Sequence, residues 1–101
     1  MTEIAVSCTE SDSGWTCVVA VTDPDGSATR HRVTVSAVDL ARLDPGAADP
    51  VELVRRSFEF LLAREPKTSI LATFDLPLIG HYFPEFEPFI RTRRGPDAAH
   101  R

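Results

Sequence analysis

Between residues 4 and 36 apolar side chains fall at every second position, and this period of two most constrains what the chain can fold into. Ile4, Val6 and Cys8 share one face, and after the polar stretch at residues 10–14 the face resumes with Trp15, Cys17, Val19 and Val21. With Asp12 and Ser13 at the centre of that loop, Cys8 falls opposite Cys17, Val6 opposite Val19 and Ile4 opposite Val21. Every facing pair is apolar, so the register is self-consistent. The next connection, Asp23-Pro24-Asp25-Gly26, carries strong turn chemistry: Pro presets its backbone angle at the first central position, and Gly accepts the left-handed conformation afterwards. Folding back from it places Thr29, His31, Val33 and Val35 on the inner face and Arg30, Arg32 and Thr34 outside. The expectation is a three-stranded antiparallel meander with one buried face.

Helix signals follow. Ser36-Ala37-Val38-Asp39 has the form of a capping box and predicts a short helix to about Leu43, ending before Pro45-Gly46. Asp49-Pro50-Val51-Glu52 repeats the start signal with Pro at the favoured first position. Val51, Val54, Phe58, Leu61 and Leu62 then recur at helical spacing, with Arg55, Arg56, Glu59 and Arg64 mainly off the stripe. This longer helix, residues 50–65, should cover the inner face of the meander and end before Pro66. A short helix through Ile70, Leu71 and Phe74 and another from Leu76 to about Phe83, capped by Asp75, are expected next. Beyond Pro84 the expectation is an extended or irregular segment, possible pairing with the sheet edge included.

All six phenylalanines lie between residues 53 and 90, four of them in the last third. Residues 74–89 combine them with three prolines and cannot form one long helix, because each internal proline removes a donor and clashes with the preceding turn. Tyr82, Phe83, Phe86 and Phe89, spaced by Glu85, Glu87 and two prolines, read either as the lid of a small core or as anchors of a protein interface with an acidic rim. A three-stranded meander also leaves unpaired edges, which suits strand addition or self-association.

The formal charge of −4 argues against a general binder of nucleic acid or anionic membranes. It is unevenly spread. Up to Pro50 there are eight acidic against three basic residues, and beyond it eight basic against seven acidic. Arg30 and Arg32 on the outer sheet face, with Arg91, Arg93 and Arg94 near the C-terminus, could form a basic surface, so a nucleic-acid-binding regulator is the alternative function. A helix-turn-helix over residues 68–83 fits poorly, because its second helix would offer Leu76, Leu78, Ile79 and Phe83 where base edges need Arg, Lys, Asn or Gln. No apolar run approaches the roughly 18 residues of a membrane span, and no signal-like start is visible. A cytoplasmic location is expected. Ten Arg to one Lys, with frequent Ala, Asp and Pro, suggests a GC-rich bacterial genome.

Chemistry-bearing residues are sparse. Cys8 and Cys17 could form a cross-strand disulfide, a redox switch or half a metal site, but without a CxxC spacing, and in a reducing cytoplasm, they read as two small core residues on neighbouring strands. His31, His81 and His100 have no partner at ligand spacing. There is no GxSxG, Walker-type loop, dinucleotide fingerprint or HExxH. No enzyme activity, catalytic residue, cofactor or metal is expected.

Residues 53–71, LVRRSFEFLLAREPKTSIL, with Phe74-Asp75-Leu76 and Tyr82-Phe83-Pro84-Glu85-Phe86, resemble a group of short uncharacterised bacterial proteins. The resemblance covers about a third of the chain and implies a bacterial stand-alone domain, without implying an activity, ligand or site residue. The expected organisation is a single α+β domain at residues 1–92, a meander packed by one longer helix and short C-terminal helices, and a disordered polar tail at residues 93–101. Its expected function is a non-catalytic protein-interaction or regulatory domain acting through Tyr82, Phe83, Phe86 and Phe89, with a protein partner or a second copy.

Overall fold

The computed structural model describes residues 2–92. Three nine-residue strands, β1 (Glu3–Ser11), β2 (Gly14–Thr22) and β3 (Ala28–Ser36), form the meander in the expected register, with Cys8 facing Cys17 and Val6 facing Val19. The β1–β2 turn is Asp12-Ser13. Gly14 follows it at a position where a Cβ would lie 2.2 Å from the Val35 carbonyl oxygen, so the close approach of two backbones requires glycine. At the β2–β3 turn the Gly26 amide donates to the Asp23 carbonyl, and Gly26 adopts φ +91°.

The domain is α+β, but its sheet has four strands in the order β1-β2-β3-β4. The fourth, β4 (Thr73–Asp75), replaces the helix expected through Phe74 and runs parallel to β3, with Val33 facing Phe74. The connection permits this geometry: a parallel pair needs a long crossover, and two helices lie between β3 and β4. Only a 3-10 turn (Lys67–Ser69) precedes β4.

Among the described residues, four helices form the second layer. In α1 (Ala37–Leu43), Ser36 accepts from the Asp39 amide at 3.0 Å, completing half of the expected capping box, while the Asp39 carboxylate turns to Arg42 at 3.1 Å. The longer helix α2 (Val51–Leu62) starts where the Asp49 carboxylate accepts from the Val51 amide. It buries Leu53, Val54, Phe58, Phe60 and Leu61. Its end at Leu62 is three residues short of the expected one.

Helix α3 (Leu78–Tyr82) is shorter than expected, and Asp75 does not cap it: that residue is in β4, where its carboxylate accepts from the Thr34 hydroxyl. Helix α4 (Phe86–Thr92) corrects the expectation of an extended segment beyond Pro84. Pro88 falls in its first turn, where amides lack intrahelical acceptors anyway, so the missing N–H costs nothing. The expected tail at residues 93–101 lies outside the described residues.

The core between the layers contains Val19, Val21, Val33 and Val35 from the sheet and Phe58, Phe60, Leu76, Phe86 and Ile90 from the helical side. Each such side chain contributes about 1.5–3 kcal/mol through removal from water. Arg56, expected off the apolar stripe, is buried and sits 3.5 Å from the equally buried Asp44, while its other terminal nitrogen donates to the Ile90 carbonyl. This pair joins the end of α1 to α2 and α4.

Cys8 and Cys17 are joined in a disulfide, which corrects their reading as two unlinked core thiols. Their Cα atoms are 4.0 Å apart, the close spacing of a non-hydrogen-bonded antiparallel pair. A reductant, or Cys8→Ser combined with Cys17→Ala, should lower unfolding stability by about 2–3 kcal/mol because the closed loop is short. Urea unfolding of oxidised and reduced protein checks this, and equal midpoints would count against a stabilising link.

Candidate functional site

Three segments converge on an open apolar groove of about 370 Å³. The end of α2 and the turn after it supply Leu61 and Glu65, β4 and its approach supply Ile70, Leu71 and Phe74, and α3 with the residue that ends it supplies Leu78, Ile79, Tyr82 and Phe83. Leu71 is 49% exposed and Tyr82 63% exposed, although both are large and largely apolar.

The approach to β4 is held by His31. The ring lies 5.2 Å from Phe58 and is buried, with Nδ1 2.8 Å from the Leu71 carbonyl and Nε2 2.8 Å from the Thr29 hydroxyl. Because a carbonyl can only accept, Nδ1 carries the hydrogen and, in the neutral ring, Nε2 accepts from Thr29. The histidine thereby fixes the Leu71 backbone at the groove rim.

The four predicted contact residues are brought near one another but are not equivalent. Phe86 is fully buried, so its side chain belongs to the core and cannot touch a partner in this fold. Phe83 is half-buried and lines the groove, and Phe89 is 37% exposed. Phe83, Phe86 and Phe89 all surround Phe60, with ring centroids 5.1–5.9 Å away. Arg64 lies over the same Phe60 ring at 3.6 Å and donates to the Phe60 carbonyl. The acidic rim is bound internally: Glu85 pairs with Arg64 at 3.2 Å and Glu87 with Arg42 at 2.5 Å. The Glu85 carboxyl is held below its ordinary range by its own backbone amide first and by Arg64 second, and the Arg42 guanidinium is shifted up by Glu87 and then Asp39. Leu71 and Glu65 were missed at the sequence level. A single apolar residue in an expected helix gives no sign of becoming a rim.

The predicted basic residues do not share a face. Arg30 and Arg32 are exposed on the sheet surface opposite the helices, whereas Arg91 projects from α4 in the helical layer. Arg93 and Arg94 lie outside the described residues.

A second, broader cleft of about 680 Å³ runs past Trp15 at the end of the sheet and includes Asp39, Asp75 and His81. Its carboxylates are engaged by Arg42 and Thr34, and among the described residues no group of three or more His, Cys, Asp or Glu is placed to hold a metal. Among the described residues no helix is long and apolar enough to cross a membrane. No protein-family model, curated protein or solved structure matches the chain.

The segment leading to the groove is also tied to the β2–β3 turn. The Lys67 ammonium bonds Asp23 at 2.5 Å and the Ser27 hydroxyl at 2.8 Å. Lys67 first, then the Thr2 hydroxyl, hold the Asp23 carboxyl below its ordinary value. A depressed folded-state pKa gives stability that is complete above the unfolded value and lost as pH falls through the folded one. The wild type should therefore lose stability more steeply than Lys67→Met between about pH 5 and pH 2. Thermal midpoints across that window check it. A second test separates core from surface: Phe86→Ala should cost about 3–5 kcal/mol in urea unfolding, as for other buried phenylalanines.

Proposed function

We propose that the domain is a non-catalytic protein-interaction module that seats a bulky apolar side chain of a partner polypeptide in the groove between α2 and α3. The observation that carries this reading is the pairing of two exposed apolar side chains, Leu71 and Tyr82, on opposite segments of one open apolar cleft. Exposed apolar surface around a concavity is the usual form of a binding anchor site. The groove narrows the earlier expectation: Tyr82 and Phe83 remain contact residues, Phe86 supports them from the core, and Leu71 joins them. Glu65 at the lining favours a partner with a basic residue beside its apolar anchor.

The nucleic-acid alternative has less support, because Arg30 and Arg32 lie on the face opposite the layer that holds Arg91. It would require salt-dependent binding through the sheet face alone. A bacterial origin is part of the same proposal and rests on the resemblance and the Arg-rich composition. The cytoplasmic expectation and the disulfide pull in opposite directions, since an oxidising compartment keeps such a link closed and a reducing one opens it. Alkylation of freshly lysed host cells, followed by mass measurement of residues 8–17, tells these apart.

The groove is tested by selecting displayed random peptides against the domain. Enriched peptides should share an aromatic or branched apolar anchor next to Lys or Arg. Tyr82→Asp and Leu71→Asp should each weaken their binding roughly tenfold or more, as for an anchor-site truncation, with little change in thermal midpoint. Peptides that bind these variants and the wild type equally would overturn the reading.

A further inference from the structure

The free edge of β1 is the longest stretch of unpaired strand backbone in the sheet. The sheet ends on β1 at one side and on the three-residue β4 at the other. All nine residues of β1 pair with β2 without a bulge, so the edge is regular over about 30 Å. Natural edge strands are normally blunted by charged side chains, proline, a bulge or extreme shortness. The sequence EIAVSCTES has no lysine, proline or bulge, and its two charges, Glu3 and Glu10, lie towards the ends and leave the centre of the edge uncharged.

Which backbone groups face outward follows from the ladder. The 4.0 Å Cα spacing at Cys8 and Cys17 marks a pair whose amides and carbonyls point away from each other, and alternation extends this to Ile4, Val6 and Glu10. The two-residue turn agrees, because Ser11 and Gly14 flank it as the hydrogen-bonded closing pair. The free edge therefore offers the N–H and C=O groups of Ile4, Val6, Cys8 and Glu10. Their side chains lie on the inner face, where Ile4, Val6 and Cys8 are only partly buried against the core.

We infer that β1 pairs antiparallel with β1 of a second copy, joining two four-stranded sheets into one continuous sheet about a two-fold axis at Ser7. This is the register that pairs all nine residues. It sets Ser7 opposite Ser7, Ala5 opposite Thr9, Glu3 opposite Ser11, Val6 opposite Cys8 and Ile4 opposite Glu10. No like charges face each other, and the Val6–Cys8 contacts continue the apolar inner face across the axis. The outward amides and carbonyls fall on Val6–Cys8 and Ile4–Glu10, where a hydrogen-bonded pair requires them. A strand that fits its own reverse in bonding phase, faces no like charges and has an apolar Val6–Cys8 centre identifies a second copy as the occupant. The Cys8–Cys17 link holds the centre of this edge flat against β2. The groove used by the proposed function involves none of these residues.

The test uses Ser7, whose side chain is exposed and outside the core. Wild-type protein should sediment as a dimer whose mass falls on dilution. Ser7→Lys and Ser7→Glu should each weaken dimerisation roughly tenfold or more through like charges at the axis, with unchanged thermal midpoints at monomer concentrations. Mixing the two variants should restore a dimer, because residue 7 faces residue 7. Tyr82→Asp should leave dimerisation intact, which separates this inference from the groove. A monomeric wild type at its highest soluble concentration, or variants that dimerise as well as the wild type, would overturn it.

Discussion

Helix α2 is held from two sides by two phenylalanines only two residues apart, and the remaining packing depends on them. Phe58 turns to the sheet, against His31 and Phe74, while Phe60 turns to Phe83, Phe86 and Phe89. Two residues on a helix are separated by about 200° of rotation, so one apolar stripe cannot hold both. The helix is therefore buried on two faces, against the sheet through Phe58 and against the short C-terminal helices through Phe60. That arrangement sorts the aromatics into two clusters, one around Phe58 and one around Phe60, on two faces of one central element.

The three-stranded meander was legible because each of its facing pairs is determined by a period of two and by turn residues of specific conformation. The C-terminal half was not, for reasons specific to its residues. Ile70 and Phe74 have helical spacing, yet Pro77 forces Leu76 out of the helical region, and Phe74-Asp75-Leu76 alternates as a strand does. A strand of three residues gives only that much signal. Pro88 suggested a broken segment, but in the first turn of α4 it is compatible with helix. The burial of Arg56 follows from a partner, Asp44, that lies twelve residues away across a turn, and no local pattern shows it.

The candidate site was legible only in part. Tyr82 and Phe83 were marked by their surplus of apolar surface in a proline-rich segment. Composition could not separate them from Phe86, because burial depends on which side of α4 faces Phe60. The groove itself depends on β4, since the strand brings Leu71 and Ile70 to the end of α2. The covered face of the sheet thus carries the cleft, and the opposite face remains broad, largely neutral and marked by two arginines.

Lys67 is the chain's one lysine, and it closes the contact between the β2–β3 turn and the segment entering β4. Amine-directed labels, crosslinkers and surface-coupling chemistries can therefore address one side chain besides the N-terminus, and that side chain is a structural fastener. A fluorophore or sensor surface attached through lysine would loosen the approach to the groove it was meant to observe. Attachment through the termini leaves the fastener in place.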